Sequence, residues 1–255
     1  MLLATDVGNS QTVVGIFDGE TLAHHWRIST EARRTSDELA LQLQGLLGLV
    51  GMSLSTSITG VVISSVVPPM TEAFRDMTTR YLRFRPIIVG PGIRTGMAIR
   101  MDNPREVGAD RLVNALAAFH EYGGPGIVVD FGTSTNFDVY DDGGAFIGGA
   151  IAPGVQTSMA ALSARGAQLG TVELAAPRHA IGRSTVEAMQ SGAIYGFAGQ
   201  VDRLVEAIAD ELPAKPVVVA TGGLAKPITR VCRRIDSHDQ WLTLKGLRLV
   251  WERNA

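Results

Sequence analysis

One cysteine, Cys232, serves the whole 255-residue chain, which excludes an intramolecular disulfide and any zinc site built from several thiolates. A reducing cytoplasm is the expected setting. Lysine is nearly as scarce, confined to Lys215, Lys226 and Lys245. No Gly-Lys pair occurs, so a Walker-type phosphate loop cannot be built, and a G-x-G-x-x-G dinucleotide fingerprint is missing too. Charged residues are lacking from Leu39 to Thr71 and from Gly143 to Ala164. Gly, Ser, Thr, Gln and Pro interrupt both stretches, and neither reaches the run of about 20 apolar residues that crosses a bilayer. No membrane partner is expected, and with no basic stretch ahead of Asp6 no signal peptide is expected either. A net charge of −2 and a pI near 6.2 supply no basic field for nucleic acid.

What the chain has is a repetition. Asp6-Val7-Gly8-Asn9-Ser10 follows the apolar Leu2-Leu3-Ala4, and Asp130-Phe131-Gly132-Thr133-Ser134 follows Ile127-Val128-Val129. One shift, close to half the chain, lays Asp6 on Asp130, Gly8 on Gly132, Ser10 on Ser134, Asp18 on Asp142 and Gly19 on Gly143. With 45% hydrophobic residues there is material for two cores. Strand-like runs separated by Gly- and Asp-bearing turns predict strands over 2–5, 12–17 and 21–28, then a helix from Ser36 carrying Leu39, Leu43, Leu46, Leu47 and Val50 on one face. A buried strand over 61–67, a helix opened by Pro68-Pro69 and a short strand over 87–89 complete a βββαβαβ half. A helix is predicted over 108–122, and Gly123-Gly124-Pro125-Gly126 reads as the linker, dividing the chain into domains 1–122 and 123–255. The second half repeats the meander over 127–130, 135–140 and 145–151. It continues with a long helix from the capping-box pattern Ser184-Thr185-Val186-Glu187, a strand over 217–220 and a terminal helix over 242–251. The fold class is therefore α/β, two tandem ribonuclease-H-like domains, similar to the superfamily of acetate and sugar kinases, heat-shock chaperones and actin. That likeness implies ATP in a cleft between lobes, facing the first turn of each meander.

Asp6 and Asp130 each end an apolar strand, where a carboxylate is costly unless solvated or bound to a cation. Each alone reads equally well as the Asx cap of its own turn. As a pair, with Gly8-Asn9-Ser10 and Gly132-Thr133-Ser134 offering backbone amides and hydroxyls, they suit phosphate and Mg²⁺. Asp110 stands at a helix start, where an N-cap is the simpler role, and Arg111 could pair with Glu106. Thr185 lies within a capping box and could serve only that. His24 and His25 alternate on a strand and cannot share a metal. Cys232 lies beside Arg233 and Arg234, which would lower its pKa, though a lone cysteine is more often inert filler.

Six motifs in order carry a more specific likeness: Asp6-Val7-Gly8-Asn9-Ser10, Asn103-Pro104-Arg105-Glu106-Val107-Gly108-Ala109-Asp110-Arg111, Asp130-Phe131-Gly132-Thr133, Gly148-Gly149-Ala150-Ile151-Ala152-Pro153-Gly154, Thr185-Val186-Glu187-Ala188-Met189-Gln190-Ser191-Gly192 and Thr221-Gly222-Gly223-Leu224. Together they resemble the successive motifs of the type III pantothenate kinases across nearly the whole chain. The resemblance implies ATP-dependent phosphorylation of the primary hydroxyl of pantothenate, the first step of coenzyme A synthesis, in a cytoplasmic homodimer. It further implies that Asp6, Val7, Gly8, Asn9, Ser10, Gln11, Thr12 and Val13 hold ATP phosphates with Mg²⁺. On the same ground Thr133 touches ATP, and Asp110 is the general base. Gly108, Ala109, Asp110, Arg111 and Thr185 contact pantothenate, and Asp130 binds a monovalent cation, K⁺ or NH₄⁺. Ser10-Gln11 replaces a frequent Thr-Asn pair, and Met101 stands where many members carry an aromatic. The alternatives are a sugar or acetate kinase of the same superfamily, or a catalytically weak homologue acting as a ligand-binding or regulatory accessory protein.

Overall fold

The computed structural model describes residues 1–166, 170 and 172–255. Strands β1 (Leu2–Val7), β2 (Gln11–Asp18) and β3 (Thr21–Ser29) form an antiparallel meander, and β4 (Gly60–Ser65) and β5 (Ile87–Ile88) add in parallel beside β1, giving the order β3-β2-β1-β4-β5. The second sheet has β6 (Gly126–Phe131), β7 (Ser134–Tyr140), β8 (Phe146–Pro153), β9 (Val217–Thr221) and β10 (Ser237–His238) in the order β8-β7-β6-β9-β10. Its β6, β7 and β8 are antiparallel, while β9 and β10 are parallel to β6. Identical orders in both sheets bear out the duplicated ribonuclease-H-like topology.

Register corrects the simple shift between the copies. Asp6 pairs with Val13 across the first hairpin, but Asp130 pairs with Asn136 across the second, so the second turn is one residue shorter. Past the turn every equivalence moves by one: Phe17 opposite Leu2 matches Tyr140 opposite Gly126, and the counterpart of Asp18 is Asp141, not Asp142.

Helices α1 (Ser36–Gly48), the short α2 (Leu54–Ser57) and α3 (Pro68–Met77) pack on the first sheet, where Leu39, Leu43 and Leu47 join Leu3, Val14, Ile16, Val61, Ile63, Met70 and Phe74 in one core. The expected start of α1 at Ser36 is held one residue earlier. Thr35 Oγ1 accepts from Glu38 N at 3.3 Å while Glu38 Oε2 accepts from Thr35 N at 2.8 Å, a full capping box. That amide holds the Glu38 carboxyl below its ordinary value. A depressed carboxyl stabilises the fold above its unfolded pKa, and this contribution is lost as pH falls through the folded value. Thr35→Ala removes the cap and should cost about 1 kcal/mol, read as a lower denaturant midpoint at unchanged m.

Helix α4 (Ala109–Tyr122) precedes the second sheet, whose core gathers Ile127, Val129, Phe137, Val139 and Val218 with α5 (Val155–Arg165), α6 (Thr185–Ala209) and α7 (Ala225–Thr229). The chain ends in α8 (Leu242–Asn254). Two compact units result, 1–96 with 103–117 and 243–255, and 97–102 with 118–242. The division expected at 122/123 therefore does not mark the units, and the reason is steric. Helix α8 belongs with the first unit: Leu244 packs against Gly15, the Trp251 ring lies on Gly60, and Gly246 allows close approach to the Val113 carbonyl. Thr243 Oγ1 is bonded to Asn114 Oδ1 at 2.7 Å in the same unit. In exchange, segment 97–102 joins the second unit, with Arg100 N donating to Phe146 O at 2.8 Å and Phe146 N to Ala98 O at 2.8 Å. Among the described residues no helix is long and apolar enough to cross a membrane.

Candidate active site

In the first unit, Asp6 is the next-to-last residue of β1 and half-buried, with Val13 on one side and Ser64 of β4 on the other. The turn beyond it is closed by Gly8 N donating to Gln11 O at 3.0 Å. A Cβ on Gly8 would sit 3.1 Å from that same oxygen, so a side chain would push the turn open. Asn9, Ser10 and Gln11 are exposed, and Thr12 is buried with its hydroxyl 2.9 Å from that of Thr30. Ser10 O accepts from Thr30 N at 3.1 Å, and Gln11 Oε1 accepts from Arg27 at 3.2 Å.

The same unit carries Gly108, Ala109, Asp110 and Arg111 at the start of α4. Asp110 is the second residue of the helix, and its Oδ1 accepts from Arg111 N at 2.9 Å. The N-cap position falls to Gly108, whose carbonyl accepts from Leu112 N at 3.2 Å, so Asp110 is not the cap the sequence suggested; it folds back on the next amide and uses one oxygen of two. A Cβ at position 108 would lie 2.5 Å from Asp110 Oδ1, so the glycine is what lets the carboxylate fold back over the helix start. Ahead of it Asn103 caps a turn at Pro104–Glu106, accepting from Arg105 N at 3.3 Å and donating to Glu106 Oε1 at 2.7 Å.

In the second unit, Asp130 occupies the place in β6 that Asp6 has in β1, half-buried, paired with Asn136 and with Thr221 of β9. The strand's exit is tightly built. Gly222, at φ +93°, lies where a Cβ would be 2.5 Å from Asp130 Oδ1 and 2.5 Å from Phe131 O, and Leu224 N donates back to Phe131 O at 3.4 Å. The exposed turn residue Thr133 is braced through its carbonyl, which accepts from Gly154 N at 3.1 Å and from Thr157 Oγ1 at 2.7 Å. Gly154 approaches so closely that a Cβ would be 2.5 Å from Gly132 O, which explains the glycine ending the Gly148–Gly154 motif. Helix α5, which supplies Thr157, was not legible in a charge-free stretch rich in Gly, Ser and Thr; its one signal was Met159-Ala160-Ala161-Leu162.

Thr185 is the exposed first residue of α6 and does not cap it. Ser184 Oγ takes Glu187 N at 3.2 Å, and Glu187 Oε2 reaches Arg183 N at 2.9 Å instead of closing the reciprocal bond to Ser184. The structure therefore places Asp6 to Val13 and Gly108 to Arg111 in one unit, and Asp130, Thr133 and Thr185 in the other.

The sequence model of the family described as type III pantothenate kinase matches residues 2–207. The chain belongs to this family. A type III pantothenate kinase from Acidothermus cellulolyticus is 55% identical over 256 residues, covering 100% of this chain and 99% of its own length. One from Streptomyces griseus subsp. griseus is 56% identical over 262 residues, covering 100% and 99%. Among solved structures, the activator of the 2-hydroxyisocaproyl-CoA dehydratase from Clostridium difficile, with bound ADPNP, superposes with a TM-score of 0.57 at 14% identity over 99% of this chain and 95% of that one. Such a likeness speaks to the fold, the actin-like ATPase architecture, alone.

Burial, with Asp202 nearby, pushes the Cys232 thiol up to about 12, so the flanking arginines do not activate it. Among the described residues no group of three or more His, Cys, Asp or Glu could hold a metal ion.

Proposed function

We infer that the chain is an ATP-dependent kinase transferring the γ-phosphoryl group of ATP to the primary hydroxyl of pantothenate, opening coenzyme A synthesis. The observation that carries it is full-length identity above half to proteins named for that reaction. The full set of motif residues favours the kinase over the accessory-protein alternative.

In this reading Asp6 and the amides and hydroxyls of Gly8 to Val13 hold the ATP phosphates, with Thr133 touching the nucleotide. Asp6 fits a divalent ion that keeps most of its ligands from water and phosphate: it is one half-buried carboxylate beside a buried hydroxyl of Ser64. Mg²⁺, when bound, supplies charge neutralisation at the phosphate oxygens. Asp110 accepts the proton of the attacking hydroxyl through the oxygen not engaged by Arg111 N, as its oxygen–phosphorus bond forms and the bridging bond to ADP breaks. Arg111 offers a guanidinium to the acceptor's anionic or amide oxygens, and Thr185 a hydroxyl. Asp130 holds the monovalent cation. The monovalent charge is taken from the family resemblance; what this unit offers it is one carboxylate with a buried hydroxyl of Thr221 and the close-lying backbone of Gly222 beside it.

A homodimer completes the proposal. Helix α6 buries Met189, Ala193, Ile194 and Val201 in its own unit, and its exposed Val186 and Tyr195 lie on opposite sides of the helix, so the homodimer rests on the family resemblance and not on a shared apolar patch. The test is phosphopantothenate formation at saturating ATP and Mg²⁺ in KCl. Turnover should appear there and fall when NaCl replaces KCl. Retained ATP binding without product would overturn the kinase reading, and indifference to the exchange would remove the cation from Asp130.

A further inference from the structure

The Thr221-Gly222-Gly223-Leu224 motif has so far contributed only backbone, yet its first side chain sits in a telling place. Parallel pairing sets Thr221 directly beside Asp130, and the same pairing in the first sheet sets Ser64 directly beside Asp6. Register partners on adjacent strands project to one face of the sheet, so each hydroxyl shares a face with its carboxylate. Both hydroxyls are shut away from solvent, Thr221 at 1% exposure and Ser64 at 0%, and neither Thr221 Oγ1 nor Ser64 Oγ has a hydrogen-bond partner. A buried hydroxyl is rarely left unsatisfied, and here the omission recurs at one topological position in both copies.

The two copies differ at the next residue. In the first, Ser65 follows Ser64, and its hydroxyl is spent locally on Val67, donating to the carbonyl and accepting from the amide at 3.2 Å each. In the second, Gly222 follows Thr221 and brings bare backbone against Asp130 Oδ1, closer than any side chain would permit. The Asp130 carboxylate thus has beside it an unpartnered hydroxyl and the half-buried backbone of Gly222 at one strand end. Large monovalent cations are coordinated by such mixed oxygens.

We propose that Thr221 Oγ1 is a protein ligand of the monovalent cation at Asp130, a role the quasi-equivalent Ser64 does not share. This rests on the assignment of the cation to Asp130.

The experiment titrates KCl against choline chloride into the full-length protein, reading the rise in melting temperature without substrates and the half-activating K⁺ concentration with ATP and pantothenate. Thr221→Val keeps shape and replaces an unsatisfied hydroxyl with a methyl, so its melting temperature without K⁺ should equal or exceed the parent's. Its half-activating K⁺ should rise by about ten-fold or more, the usual cost of removing a group from a metal's surroundings, and its K⁺-induced shift should shrink accordingly. Thr221→Ser, which keeps the oxygen, should restore both, and Ser64→Ala, read without substrates, should keep the K⁺-induced rise in melting temperature at the parent value. An unchanged K⁺ response in Thr221→Val, or a lost one in Thr221→Ser, overturns the proposal. If Asp130→Asn loses the K⁺ response while Thr221→Val keeps it, the cation assignment stands and only Thr221 falls. A parent protein indifferent to K⁺ overturns both.

Discussion

Asp110→Asn should lower kcat by about 10²- to 10⁴-fold, the range general base catalysis supplies, while leaving the fold and the binding of both substrates close to the parent's. Structure makes this variant clean. The one bond the Asp110 side chain makes in the first turn of α4 is acceptance of Arg111 N by Oδ1, and an Asn carbonyl oxygen accepts equally well. The first intrahelical bond runs from Leu112 N to the carbonyl of Gly108 and does not involve this side chain, so the helix start survives. What Asn lacks is a basic oxygen for the hydroxyl proton. Phosphoryl transfer runs through a loose transition state governed by positioning and charge neutralisation, so the residual rate should stay well above the uncatalysed one. An Asp110 that served only its bond to Arg111 N would leave kcat untouched. Steady-state kinetics beside a calorimetric ATP titration decide it: kcat within a few-fold of the parent at unchanged KM removes the base assignment.

Much of this architecture was written in the sequence, and the reason is periodicity. The apolar runs ahead of Asp6 and Asp130, the near-continuous burial-prone runs of β2 and β7, buried on both faces, and the 3.6-residue stripes of α1 and α6 are local signals. Failures came where position is set by distant packing. The one-residue shortening of the second turn shows only in the pairing of Asp130 with Asn136, since the Asp-x-Gly-x-Ser spacing is the same in both copies. The return of α8 to the first unit depends on Trp251 finding the space above Gly60 and Leu244 that at Gly15, which no local pattern encodes. Strand β10, two residues long, carries no period at all. At the site, types were legible and partners were not. Asp110 and Asp130 could be named, but the glycines that shape them, Gly108 and Gly222, acquire meaning only from the space a Cβ would take.

Gly222→Ala is where that meaning is tested most severely. A Cβ there meets Asp130 Oδ1 and Phe131 O at 2.5 Å and Phe131 N at 2.7 Å, and two of those three are backbone atoms of a central strand that cannot swing aside. The residue also holds φ +93°, which an L side chain rarely adopts. The left-handed conformation costs about 1–2 kcal/mol and forced overpacking about 1–3 kcal/mol, so together a loss of roughly 2–5 kcal/mol is expected. Gly45→Ala is the matched control, lying mid-helix in α1 with nothing within 4 Å of its Cβ. It should gain about 0.5–1 kcal/mol. Chemical denaturation of the pair separates crowding from generic glycine effects, because both remove the same backbone freedom from the unfolded chain. The folded fraction of Gly222→Ala carries the second readout. The carboxylate at 130 must yield first, being the movable member of the three, so the K⁺ response should weaken along with stability. A variant as stable as the parent, or one destabilised with its K⁺ response intact, would mean that the turn relaxes without disturbing Asp130.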